Sequence, residues 1–138
     1  MVTVEYQHRF NYRQFRSRNS PVLQVRITRQ DIPDLGIDTD AYLDSGAEVS
    51  LFNGDLLAAL EIDLINNNQK SYGSTIGGSV TGFLHNVQLT LPDVGDFNME
   101  IGFSNGEIRR NLLGRDFFNL VQIGFRESHL EYYLNPRP

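Results

Sequence analysis

Apolar positions in this chain come in short runs, divided at close intervals by Gly, Asn, Asp and Pro. That spacing predicts strands and tight turns rather than long helices. In "VLQVRIT", residues 22–28, apolar and polar positions alternate, the period of a strand with one buried face. "IPDLG" (32–36) carries turn chemistry, and "IDTDAYLD" (37–44) and "VSLF" (49–52) return as strands. "NGDLLAALEI" (53–62) predicts a short helix, with Asn53 suited to cap it and Leu56, Leu57 and Leu60 on one face. Residues 70–91, "KSYGSTIGGSVTGFLHNVQLTL", place β-branched and aromatic residues on both sides of Gly77-Gly78, a hairpin with a glycine tip. Gly73 and Gly82 would weaken its base, so this hairpin is expected to be mobile. "DFNMEIGFS" (96–104) and "IRRNLLG" (108–114) predict strands, and "RDFFNL" (115–120) a helical turn or two. "VQIGFR" (121–126) and "HLEYYL" (129–134) predict a terminal hairpin, and "NPRP" a frayed end. The whole reads as an all-β domain with one or two short helices.

Composition narrows the class. The 138 residues, 40% hydrophobic and 21% charged, suffice for one ordinary globular core. The longest aliphatic cluster, "LLAAL" at 56–60, is far too short to span a bilayer, and "MVTVEYQHRF" has no apolar stretch of the kind a cleaved secretory signal needs. The absence of Cys excludes disulfides, zinc–thiolate sites and thiol nucleophiles, and a cytoplasmic location is expected. Charge is unevenly spread. Residues 1–30 carry six arginines (9, 13, 16, 18, 26 and 29) against Glu5 alone, so with a net charge of −5 the remaining residues carry −10. A basic arm on an acidic body raises the question of nucleic acid, but there is no lysine cluster or aromatic ladder to build such a surface. The arm is expected instead to pack on, or solvate beside, acidic residues.

One stretch departs from the alternation. In "AYLDSGAEVSLF", residues 41–52, an apolar run leads straight into Asp44, turns on Ser45-Gly46-Ala47 and becomes apolar again. A carboxylate at the end of a buried strand is costly to desolvate. Ser45 can hold a tight turn and Gly46 allows close backbone approach, so the turn would present Asp44 to an incoming group. Two carboxylates in contact share one proton; the ionised one takes a proton from water while the protonated one polarises a carbonyl. The chain has a single Asp-[Ser/Thr]-Gly, so such a pair requires two copies related by a twofold axis.

"YLDSGAEVSLF", followed some seventy residues later by "NLLGRDFF", resembles the single-domain, retropepsin-like aspartic proteases. Their pattern is an apolar strand into Asp-Thr/Ser-Gly-Ala, a glycine-tipped flap, then two apolar residues and Gly-Arg-Asp/Asn opening a short helix. All three parts occur here in that order. The segment "NGDLLAALEIDL" after the active-site strand looks more like the non-viral members. The resemblance implies a closed β-barrel, the acid-protease half, over residues 22–138. Residues 1–21 form a basic extension that reads either as an interface strand or as a pro-segment. It implies an endopeptidase acting as a homodimer on peptide or protein, without cofactor, metal or membrane. Asp44 would be the catalytic aspartate, with Ser45 bonding across the dimer and Gly46 accepting the substrate backbone. Ala47 and Glu48, with the flap residues Ile76, Gly77, Gly78 and Ser79, would contact substrate. Leu112, Leu113 and Gly114 would thread behind the loop, with Arg115 clamping it and Glu48 as its acidic partner.

Other readings are weaker. Asp38, Asp40 and Asp44 suggest calcium, but Tyr42 and Leu43 stand where that loop needs an oxygen ligand and a glycine. His8, His85 and His129 lack metal-ligand spacing, and there is no Gly-x-Ser-x-Gly or phosphate-cradling loop. Asp44 could cap its own turn, Gly77-Gly78 could be a plain hairpin turn, and Arg115 with Asp116 could be a surface ion pair. A non-enzymatic alternative also stands: the fold retained as a catalytically silent dimerisation or peptide-binding module.

Overall fold

The computed structural model describes residues 2–15, 17–74 and 78–137, with Ser74 described by its backbone. Its strands are β1 (His8–Asn11), β2 (Arg13–Phe15), β3 (Arg18–Ser20), β4 (Val22–Thr28), β5 (Gly36–Leu43), β6 (Leu51–Asn53), β7 (Gln69–Ser74), β8 (Gly78–Leu91), β9 (Gly95–Ser104), β10 (Asn111–Leu113), β11 (Val121–Arg126) and β12 (Glu131–Pro136). One short helix, α1 (Arg115–Phe118), joins β10 to β11, and 3₁₀ turns cover Gly54–Leu60 and Glu127–His129.

The main sheet runs β4-β5-β10-β6-β9-β8-β7, and β4 pairs again with β8. That second pairing, Ile27 opposite Leu89, closes six strands into a barrel and leaves β7 projecting as the outer arm of the β7–β8 hairpin. Most neighbours are antiparallel. Two are parallel, β10 with β5 and β6 with β9, so chain segments distant in sequence lie side by side at the centre. The expected all-β closed barrel with a projecting hairpin and short helices is the architecture found.

Alternation explains the core. Leu23, Val25 and Ile27 of β4 point inward while Gln24 is exposed. They meet Val87 and Leu89 of β8, Ile101 and Phe103 of β9, and Leu113 of β10. The 53–62 stretch forms a tight 3₁₀ turn rather than an α-helix. Asn53 caps it by accepting from the Asp55 N–H, and Leu57 and Leu60 are buried. Gly54 is required at its start: a Cβ there would overlap the Ser104 carbonyl oxygen at the end of β9. The turn ends on Glu61 in the left-handed conformation.

The arginine-rich arm is folded onto the body. β1 pairs antiparallel with β12 in a three-stranded sheet β1-β12-β11. Beyond β1, Tyr12 is buried in the core, its N–H donating to the Leu130 carbonyl at 2.7 Å. Arg9, Arg13, Arg26 and Arg29 form ion pairs with Glu131, Asp40, Asp38 and Asp31 respectively. These are exposed pairs of little individual worth, but they match the arm to acidic residues. Of the end expected to fray, Asn135 and Pro136 belong to β12. Asn135 is buried, accepting from the Gln7 N–H and donating to the Glu5 carbonyl and the Gln122 side chain. Among the described residues no helix is long and apolar enough to cross a membrane.

Candidate active site

Asp44 leaves the end of β5 beside β10, because the parallel register Tyr42–Leu112 and Leu43–Leu113 brings the two strands out together. The Asp44 N–H donates to the Leu113 carbonyl at 2.9 Å, extending the ladder by one bond before the chain turns. The turn is then closed twice: Ala47 N–H donates to the Asp44 carbonyl at 3.2 Å, and Gly46 N–H to Asp44 Oδ1 at 2.8 Å. The second bond orients the carboxylate on a backbone donor. Asp44 is half-buried, whereas Ser45 and Gly46 are exposed. Among the described residues the Ser45 hydroxyl makes no hydrogen bond within its own chain.

The rest of the loop is held by the β10–α1 junction. Arg115 N–H donates to the Ala47 carbonyl at 2.8 Å, and Asp116 N–H to the Glu48 carbonyl at 3.2 Å. The Asp116 carboxylate accepts from the Ser50 N–H at 2.9 Å, from the Ser50 hydroxyl at 2.7 Å and from its neighbour Phe117 N–H at 2.8 Å. Ser50 Oγ in turn accepts from the Gly114 N–H at 3.0 Å. Gly114 must be glycine, since a Cβ there would stand 2.6 Å from the Ala47 carbonyl oxygen. Among the described residues Arg115 and Glu48 do not pair. Both side chains are exposed. The clamp inside the chain is therefore the 115–116 backbone with the Asp116 carboxylate, not the Arg115 guanidinium. α1 begins at Arg115, so its N–H faces the loop while its side chain faces outward.

Behind this turn and below the β7–β8 hairpin lies a cleft of about 450 Å³. It is lined by Gly46, Ala47, Glu48, Val49 and Leu51 from the loop and β6, Leu112 from β10, and Lys70 to Gly73 with Val80 from the hairpin. Gly46, Ala47 and Glu48 thus share one cleft with the hairpin stem. Gly78 and Ser79 open β8 as exposed residues, Gly78 with φ of +92°. Ile76 and Gly77 lie outside the described residues. No group of three or more His, Asp or Glu side chains suited to holding a metal occurs among the described residues.

Two features escaped the sequence reading. Asp116 was weighed only as the partner of Arg115, though buried Ser50 is the group it binds. Tyr72 drew no attention in the sequence, yet its ring lies 2.6 Å from where a Cβ of Gly82, one of the glycines expected to loosen the hairpin base, would be, and it also covers Gly102. Its hydroxyl is buried without a hydrogen-bond partner, and burial first, then the charges of Asp116 and Glu100, raises its pKa. An aromatic on one strand near glycines of its neighbours was the available signal.

No family model matches the chain, and no curated protein matches it. Solved structures do. The EIAV protease complexed with the inhibitor HBY-793 is 19% identical, covering 77% of this chain and 91% of its own, with a TM-score of 0.56. A retropepsin-like aspartic protease from Rickettsia conorii is 12% identical, covering 98% and 100%, with a TM-score of 0.64. The fold of this chain is that of the retropepsin-like aspartic proteases.

Proposed function

We propose that this chain is an aspartic endopeptidase whose active site forms when two copies bring their Asp44 carboxylates together around one water. The observation that carries the reading is the Asp44 turn itself. A carboxylate is oriented by the Gly46 N–H, and the residues that follow it, Gly46, Ala47 and Glu48, line a cleft shared with the projecting hairpin, in the fold that the EIAV and Rickettsia proteases share. In the pair, one carboxylate is ionised and takes a proton from the water; the other, protonated, donates to the scissile carbonyl. The attack forms a tetrahedral diol, and its breakdown passes a proton to the leaving amine.

Ser45, exposed and without a hydrogen-bond partner among the described residues, would bond across the twofold axis. The exposed Arg115 and Glu48 are available for contacts between protomers. Substrate would lie extended between the hairpin and the cleft floor, adding a strand.

The test is digestion of a diverse peptide mixture between pH 4 and 8, wild type against Asp44→Asn, with products read by mass spectrometry. Cleavage that vanishes in Asp44→Asn and falls as pH rises past neutral is expected, since the pair must keep its shared proton. A folded, dimeric wild type that cuts nothing would favour the silent peptide-binding module.

A further inference from the structure

Tyr72 belongs to the wall of the cleft, yet it does not simply border it. From β7 its ring reaches across β8 and onto β9, covering Gly82 and Gly102 on one face of the sheet. At Gly82 an added Cβ would sit 2.6 Å from the ring; at Gly102 it would run into the hydroxyl end. Both positions are buried strand interiors, where glycine forfeits packing and entropy. Neither has the positive φ that would call for glycine on backbone grounds. Their common feature is the ring above them. The hydroxyl is buried without a hydrogen-bond partner, so no polar anchor sets the ring's position. Shape alone holds it: a glycine floor below and the cleft above.

We propose that Tyr72 sets the depth of the cleft and thereby the side chain it accepts. The ring fills a recess that would otherwise continue the cleft down to Gly82 and Gly102. A bound extended peptide therefore presents Gly, Ala, Ser or Val at the position over Tyr72, and larger residues are turned away. This inference rests on the reading of the chain as a peptide-cleaving enzyme, and adds a specificity-determining residue to it. The ring volume is the determinant, not the hydroxyl. Tyr72→Phe should keep the selection and raise the thermal midpoint, because it removes a buried unpaired group.

The test uses full-length chains and a randomised synthetic octapeptide mixture as the probe. Binding is read by affinity selection on the Asp44→Asn background, which reports the subsite whether or not the chain cuts. Small residues should be enriched at one position by wild type at residue 72 and by Tyr72→Phe. Tyr72→Ala should shift that position toward Leu and Phe by about tenfold or more, the scale on which a pocket separates side chains differing by a few methylenes. Tyr72→Val, which keeps a strand-forming residue, makes the same comparison if the alanine variant fails to fold. Identical profiles in all variants, or no enrichment in any, would overturn the proposal. The same mixture given to the Asp44 chain separates the two claims. Selective binding without cleavage would sink the protease reading and leave the subsite standing.

Discussion

Asp116 shows how one side chain can hold a loop it does not belong to. Its two oxygens take three donors, two of them from Ser50 across the junction, and Ser50 passes the connection on to Gly114. Hydrogen bonds to a charged acceptor are the stronger kind, and leaving buried Ser50 unpaired adds a desolvation cost. Asp116→Ala should therefore lose roughly 3 kcal/mol in urea unfolding, a figure near the sum of two such bonds. Arg115→Lys makes the opposite prediction, since the loop uses the Arg115 N–H and not its side chain. Its monomer stability should stay within about 0.5 kcal/mol of wild type. On the proposed reading, activity should fall only to the extent that dimerisation, measured by sedimentation, weakens. An Arg115→Lys monomer that unfolds as easily as Asp116→Ala would contradict this division. The Asp44-Ser45-Gly46 turn was legible because its members are adjacent. Asp116 and Ser50 are 66 positions apart, and Tyr72 reads as ordinary until Gly82 and Gly102 are brought beneath it.

At the scale of elements, the strands of the barrel followed their hydrophobic alternation closely, and the omissions fell where a distant backbone decides local shape. The 53–62 segment forms the short helix its spacing predicts, in 3₁₀ geometry, but its need for glycine at 54 is set by the distant Ser104 carbonyl. Gly54→Ala should accordingly destabilise the fold by more than about 2 kcal/mol, because the clash is with backbone that cannot move aside. The last strand was cut short in the sequence reading at Leu134. Nothing near Asn135 in the chain shows that Glu5 and Gln7 will satisfy its amide. Asn135→Ala removes three bonds, two of which tie the backbone of the arm to β12, while the third joins β12 to Gln122 of β11. It should cost about 2 kcal/mol and hasten tryptic cleavage at Arg9, read as the rate of loss of the intact chain. Unchanged cleavage at Arg9 would mean that β1 is held by its ladder with β12 alone.

The molecule as a whole responds to alkali through its buried phenols. Burial and the bond to Glu127 push Tyr12 up to about 12, and burial raises Tyr132 further. In the unfolded chain these groups ionise near their ordinary value of about 10. Each folded pKa lies above its unfolded one, so the stabilisation is complete below pH 10 and is lost as pH climbs toward 12. Thermal midpoints should hold from neutral to pH 10 and then fall. Tyr12→Phe should flatten the first part of that fall; an unchanged curve would remove Tyr12 from the account. On the proposed reading, specific activity should also decline on dilution, since neither protomer carries both carboxylates.

The pairing of β1 with β12 and the lodging of Asp44 against Leu113 have a temporal consequence. A ribosome making this chain releases the arginine-rich arm more than a hundred residues before its partner strand. At about 5–20 residues per second, the arm waits on the order of ten seconds for that strand. Through most of that interval β5 has no β10 to lie beside, and the Asp44 turn has no ladder to rest on. The nascent chain thus carries Asp44, Ser45 and Gly46 in an unformed turn until β10, some seventy residues further on, has been made.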